Sequence, residues 1–186
     1  MQIRLLDNAQ EVRAAFVKKF VMDWPEYQIV CKKFVKRWKI KQTLFDRMLM
    51  WDKMRREYPT VPFRDALALL RSLSCKVLFM SEGQNYPYDD LCILRLSGKE
   101  YPHFVAMAEA QELAALIEYE WFEDARLNEQ MCQLENPVLP QDLYICTPGM
   151  EHMLVFTHET PYGYGDDLVA AAEGRLCIAF GFDIQK

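Results

Sequence analysis

Apolar residues in the first 73 positions recur at the three- and four-residue spacing of helices. Val12, Phe16 and Phe20 repeat every four residues and predict a helix over about residues 8–22. A second helix is predicted over residues 26–41, because Pro25 suits a first helical turn and an apolar stripe follows it. That stripe consists of Tyr27, Val30, Cys31, Phe34, Val35 and Trp38.

Two more helices are predicted before residue 74. Thr43 begins the third, whose apolar surface extends to Trp51 and which ends before Pro59. Pro62 begins the fourth, which directs three leucines inward: Leu67, Leu70 and Leu73.

The pattern changes after residue 74 to short apolar runs bounded by turn residues, which is typical of strands. "CKVLFMS" and "LCILRL" are the first two such runs. A long helix is predicted from about Ala106 to Met131, although its opening, "HFVAMA", also fits a brief strand.

The last third of the chain predicts a hairpin followed by a returning strand. "DLYIC" and "HMLVFTHE" flank Pro148 and Gly149, which suit the two central positions of a type II turn. "DDLVAAAEG" predicts a short helix, and "RLCIAFGFD" predicts the closing strand.

Helices first and strands later indicate an α+β fold. We expect N-terminal helices, then a mostly antiparallel sheet of about five strands with a long helix packed on it. The 186 residues suit a single domain, 1–186, with a helical part at 1–73 and a mixed α/β part at 74–186.

The composition of the chain indicates the cellular compartment in which the protein works. The first residues carry charges where a signal peptide needs an apolar core, and no apolar run reaches the length of a membrane span. Most of the six cysteines lie in apolar runs, without a C-x-x-C pair, as buried free thiols do. These features predict a cytoplasmic protein with no membrane partner.

The net charge of −5 conceals an asymmetry between the two parts of the chain. Residues 1–60 hold 14 Lys/Arg and 7 Asp/Glu, whereas residues 61–186 hold 8 and 20. The basic helix 26–41 is therefore a candidate for nucleic-acid binding, although a solvated helix surface explains the same charges. The candidate contacts are Lys32, Lys33, Lys36, Arg37 and Lys39.

His158 and Glu159 are the candidate catalytic pair, at the end of the strand "HMLVFTHE". Consecutive strand residues point to opposite faces, so the two cannot act as direct neighbours while the strand is regular. With Asp166 or Asp167 they offer three metal ligands, but the spacing matches no recognised pattern. We expect a scaffolding role for the pair, with no cofactor and no metal.

The loop "YGYGDD" places two aromatic residues and two carboxylates beside glycines. Such a loop suits a ligand or partner surface. The candidate binding residues are Tyr162, Tyr164, Asp166 and Asp167.

"DLYICTPGMEHMLVFTHE", with "LPQDLYI" before it and "RLCIAF" after it, resembles the C-terminal signature of a class of small uncharacterised bacterial cytosolic proteins. That signature is a Leu-Tyr strand, a turn and a Thr-His-Glu strand. The chain departs from it at His152 or Met153, where the class has an aromatic residue. The resemblance implies a bacterial cytosolic protein and assigns no activity.

Three functions remain open from the sequence. The first is a non-enzymatic protein-interaction or regulatory protein, whose partner is another protein. The second is a small hydrolase or metal-dependent enzyme centred on His158 and Glu159. The third is nucleic-acid binding by the basic helix.

Overall fold

A computed structural model describes residues 2–23, 25, 50–81, 93–102, 104–129, 138–140, 142–157 and 173–184. In chain order, its regular elements are β1 (Arg4–Leu5), α1 (Ala9–Phe16), a π-helix (Val17–Val21), a 3₁₀ helix (Trp51–Lys53), β2 (Thr60–Val61), α2 (Phe63–Ser72), β3 (Lys76–Met80), β4 (Ile93–Leu96), β5 (Lys99–Pro102), β6 (Val105–Glu109), α3 (Ala110–Glu129), β7 (Leu143–Cys146), β8 (Met153–Phe156) and β9 (Cys177–Phe180).

The fold is α+β, and its main sheet is antiparallel throughout. Seven strands are ordered β1-β6-β3-β7-β8-β9-β2, while β4 and β5 form a separate two-stranded sheet. The expected number of about five strands is too low. The sequence pattern does not predict β1, β2 or β5 and gives β6 only as an alternative, and "LCILRL" contributes β4 to the smaller sheet instead of the main one.

The long helix begins later than predicted. Val105–Glu109 is strand β6, so the alternative reading of "HFVAMA" is correct and α3 starts at Ala110. Ala106 and Ala108 favour a helix by propensity, but pairing with β3, and at one end also with β1, holds them in the sheet.

Both faces of the main sheet are covered, which is uncommon for an antiparallel sheet. Alternate residues of each central strand face opposite ways, so Val77 and Phe79 lie in one core cluster and Leu78 and Met80 in another. We call the side packed by α2 and α3 the helical face. The side packed by α1 and the π-helix is the N-terminal face.

The helical face is held by aromatic and aliphatic packing. Phe63, at the start of α2, is fully buried; its ring centroid lies 5.3 Å from that of Trp121 and 5.8 Å from that of Phe156. The predicted inward leucines of α2 are confirmed at Leu67 and Leu70, which are buried. Leu73 follows the helix and is half-buried against the same cluster.

The first predicted helix is confirmed in extent but has two geometries. Its α-helical part ends at Phe16 and a π-helix continues to Val21, which turns Phe16, Val17, Phe20 and Val21 into the N-terminal face. A buried arginine, Arg13, lies on the same helix. Its guanidinium donates hydrogen bonds to backbone carbonyl oxygens at 2.7 and 3.1 Å, those of Ser81 and Phe104.

The turn between β7 and β8 has different geometry from the predicted one. The Met150 N–H donates to the Thr147 carbonyl oxygen at 2.8 Å, so Pro148 and Gly149 are central as expected. A type II turn needs positive φ at Gly149, but the positive φ, 60°, belongs to Met150. A Cβ at Gly149 would meet the Glu151 carboxylate, so that side chain would have to shift.

None of the helices in the described ranges combines the length and apolar character needed to cross a bilayer.

Candidate functional site

Residues 50–58 lie across the N-terminal face and are fixed to it by polar contacts. Met50 is fully buried, and the backbone N–H of Trp51 donates to the hydroxyl of Tyr144 at 3.2 Å. The predicted third helix is wrong at its C-terminal end. After the short 3₁₀ helix Trp51–Lys53, the chain from Met54 to Pro59 is not helical.

Arg55 attaches this segment to the π-helix. Its N–H donates to the Phe20 carbonyl oxygen at 2.9 Å, and its Nε donates to the Lys18 carbonyl oxygen at 2.9 Å. Its Nη2 also pairs with Asp23 at 2.8 Å. The side chain of Arg55 is thus committed to holding the fold together.

An open groove of about 640 Å³ lies between this segment and the edge of the sheet formed by β9 and β2. Aromatic, sulfur-containing and aliphatic side chains make up most of its walls, and a few polar residues complete them. The lining residues are Trp51, Met54, Arg56, Glu57, Tyr58, Thr60, Leu176 and Ile178.

Tyr58 lines the groove, and its ring belongs to a group of three aromatic rings that supports one cation. The ring centroids of Phe20, Tyr58 and Phe180 lie 5.5 to 6.2 Å apart, each pair in an edge-to-face arrangement. The guanidinium carbon of Arg56 lies 4.9 Å from the centroid of Tyr58 and 5.1 Å from that of Phe180. Such cation–π contacts hold an arginine in place without using its N–H donors.

Arg56 differs from Arg55 in what it pairs with. No carboxylate or carbonyl among the described residues hydrogen-bonds to the exposed guanidinium of Arg56. The neighbouring π-helix adds the exposed cation Lys18. Glu57 supplies the carboxylate among the lining residues, so the groove is aromatic with a cation fixed at its wall.

The turn between β7 and β8 forms a second polar cluster, at the end of the sheet. Lys19 Nζ donates to the Met150 carbonyl oxygen at 2.6 Å, and the Thr147 hydroxyl donates to Glu151 at 2.8 Å. The pKa of Glu151 is lowered by a hydrogen bond from its own backbone N–H, by the Thr147 hydroxyl and by the charge of Lys19. Glu151 is therefore a carboxylate at neutral pH and not a proton donor.

The buried thiols of Cys146 and Cys177 do not act as nucleophiles. Burial raises the pKa of Cys146 to about 12, and it does the same to Cys177. Both agree with the sequence interpretation of buried free thiols, whereas Cys75 is exposed and departs from it. Within the described ranges, no three His, Cys, Asp or Glu side chains are grouped closely enough to hold a metal ion.

The residues singled out from the sequence lie outside the part of the chain that the structure describes. They remain predictions, both as a catalytic or scaffolding pair and as binding surfaces. They are His158 and Glu159, the loop residues Tyr162, Tyr164, Asp166 and Asp167, and the basic residues Lys32, Lys33, Lys36, Arg37 and Lys39.

The strand that leads to His158 is described, and it is central as predicted. β8 lies between β7 and β9, with Leu154 and Phe156 on the helical face and Met153 and Val155 on the N-terminal face. Thr157 follows the strand, and its hydroxyl donates to the Leu176 carbonyl oxygen at 2.8 Å. The alternation behind the predicted separation of His158 and Glu159 is thus confirmed as far as Phe156.

Sequence reasoning missed the groove. The third predicted helix has Trp51 on its apolar side, although "WDKMRREY" mixes Trp, Met, Arg and Tyr with no helical stripe. Those four residue types are enriched at protein interfaces, and that composition was the available signal. The contribution of Leu176, Ile178 and Phe180 required knowledge of the sheet order.

Comparisons of the chain with protein-family models, with curated proteins and with solved structures found no match. The resemblance to small bacterial cytosolic proteins with a Thr-His-Glu strand therefore remains a hypothesis.

Proposed function

We propose that this chain is a non-enzymatic interaction protein of the bacterial cytosol, and that it binds a segment of another protein in the groove beside Trp51 and Tyr58. The observation that carries the proposal is the lining of the groove. Trp51, Met54, Arg56 and Tyr58 belong to the residue types enriched at the centres of protein interfaces.

The shape of the groove favours a peptide segment over a small molecule. Sites for small molecules bury roughly 70–90% of the ligand surface. This groove is open to solvent and bounded by the short edge strand β2. An extended segment of a partner can lie along it and place large side chains against Met54, Leu176 and Ile178.

Strand addition at the sheet edge is a poor alternative mode of binding. β2 has only two residues, and Pro59 and Pro62 flank it. Proline has no N–H to donate, and short strands bounded by proline are a common protection against edge pairing. We therefore expect contact through side chains in the groove, not through a new ladder of backbone hydrogen bonds.

A random dodecapeptide phage library selected on the immobilised protein tests the proposal. A selected peptide, made synthetically and fluorescein-labelled, is then titrated against wild type, Met54→Glu and Tyr119→Glu. Met54 lies in the groove wall, whereas Tyr119 is 59% exposed on α3, on the other side of the sheet. Binding should be lost in Met54→Glu and retained in Tyr119→Glu, with both variants folded by circular dichroism.

Methyl NMR locates the bound peptide independently. We expect shifts at Met54, Leu176 and Ile178, and none at Leu67 on the helical face. Peptides that bind elsewhere, or a selection that yields no binder, would contradict the proposal. A labelled DNA 20-mer that binds with a steep loss of affinity between 50 and 200 mM salt would favour the nucleic-acid alternative instead.

A further inference from the structure

We infer that Arg56 is the residue that selects the partner, by binding the carboxylate of an Asp or Glu side chain that stands beside a large apolar side chain in the bound segment. The inference rests on the proposed function and adds the chemistry of the ligand. It starts from the contrast between two adjacent arginines, of which only one has a carboxylate partner in the described structure.

Arg55 shows what this segment needs for its own stability. Its guanidinium is used by Asp23 and by the Lys18 carbonyl oxygen, and its backbone is held by Phe20. Arg56 makes none of these contacts. It lies over Tyr58 and Phe180, so its position is fixed while its N–H donors remain available.

A fixed guanidinium binds a carboxylate with less loss of side-chain freedom than a mobile one. Its fork of N–H donors matches the two oxygens of a carboxylate. Arg56 also lines the groove, so a carboxylate that pairs with it brings its neighbouring side chain against Met54 and Tyr58. The groove thus offers a subsite for a carboxylate and an apolar subsite next to each other.

The charges around the groove agree with an acidic segment. Lys18 is exposed on the adjoining π-helix, whereas Lys19 of that helix donates to the Met150 carbonyl oxygen. Glu57 opposes the binding of an acid, because it lines the same groove. Its removal should therefore tighten binding, a result that a purely apolar groove does not predict.

A side-chain carboxylate fits better than a chain terminus. Terminal carboxylates are captured by backbone N–H groups in enclosed nests. Here Arg56, a side chain on the wall of an open groove, would bind the carboxylate. The peptide can therefore continue in both directions past Arg56.

The test uses the dodecapeptide library on four proteins: wild type, Arg56→Gln, Arg56→Lys and the control Arg4→Gln. Arg4 is an exposed arginine in β1, at the opposite edge of the same sheet. Wild type and Arg4→Gln should enrich peptides with Asp or Glu next to a large apolar residue. Arg56→Gln should keep the apolar preference and lose the acidic one, and Arg56→Lys should retain part of it.

One selected peptide and its counterpart with the acid changed to Gln or Asn then give affinities. The acidic peptide should bind wild type roughly 10- to 100-fold more tightly, the range for a hydrogen bond to a charged group. The ratio of the two affinities should fall to nearly one in Arg56→Gln and rise in Glu57→Gln. Melting temperatures of the variants confirm that the fold is intact.

The outcomes separate the two proposals. Peptides that need Met54 but show no acidic preference, or an equal preference in Arg56→Gln, would overturn the role of Arg56 and leave the groove function standing. A selection without any groove-dependent peptide would overturn both.

Discussion

On the helical face of the sheet, α2 and α3 cover the strands with apolar side chains, whereas on the N-terminal face polar side chains that bind backbone carbonyl oxygens add to the apolar packing. Phe63, Trp121 and Phe156 typify the first face. On the second face, Arg13 and Lys19 donate to carbonyl oxygens. The two faces of the sheet are thus held in two different ways.

The difference has a physical consequence for binding. Apolar packing is dense, so on the helical face it stabilises the domain and offers little to a partner. Polar anchors need only a few contacts to fix a segment, as Arg55 does for residues 50–58. The aromatic and sulfur-containing side chains of that segment then remain partly exposed and line a groove.

The largest loss of stability is expected from a cavity in the core of the helical face. Phe63→Ala should lower the free energy of unfolding by about 3–5 kcal/mol, because it leaves a cavity against Trp121 and Phe156. Urea denaturation followed by circular dichroism measures this loss. Tyr119→Ala, at an exposed position of α3, is the matched control and should stay within about 0.5 kcal/mol of wild type.

The next effect concerns the close approach of β9 to the β7–β8 turn. Gly181 has φ of 85°, and a Cβ there would collide with the Glu151 carbonyl oxygen. Gly181→Ala should therefore cost about 2–5 kcal/mol, as left-handed strain plus overpacking. Gly98 also has positive φ, 74°, but open space around it, so Gly98→Ala should cost about 1–2 kcal/mol. Equal losses in the two variants would show that the close approach is unimportant.

A smaller effect is expected where the groove segment is anchored to the sheet. Tyr144→Phe removes the hydroxyl that accepts the Trp51 N–H and should cost about 1–3 kcal/mol. Because this hydrogen bond positions Trp51, the same variant should also weaken the binding of the selected peptide in the groove. Hydrogen exchange should speed up at Trp51 and stay unchanged in α2. Faster exchange in α2 would mean that the two faces are not independent.

The smallest effect is the pH dependence from Glu151. Its pKa is lowered in the folded protein, so the unfolded chain takes up a proton first as the pH falls. The stabilisation is present above the ordinary value of 4.5 and is lost as the pH falls through the lower folded value. The melting temperature should therefore drop more steeply below about pH 4.5 in wild type than in Glu151→Gln. Parallel curves would contradict the role of the Thr147 contact.

The sequence by itself determined the elements whose apolar pattern is both strong and locally bounded. Strands β3, β7, β8 and β9 were predicted because each is an apolar run between turn residues, and α2 because its leucines repeat at helical spacing. These elements carry most of the core on both faces, which is why the α+β class followed from pattern alone.

Tertiary structure decided the elements whose local preference is weak or contrary. Ala106 and Ala108 favour a helix but are held in β6 by β3 and β1. The short strands β1 and β2 have no pattern of their own, because two residues cannot show a period. They exist only through their pairing with β6 and β9.

The groove likewise depends on distances that no local pattern encodes. Arg56 and Tyr58 are close in the chain, but Phe180 reaches them only because β9 lies next to the edge strand β2. Sequence composition supplied residues suited to an interface. The order of the strands decided which of them stand together, since side-chain contacts across a sheet follow from pairing and not from position along the chain.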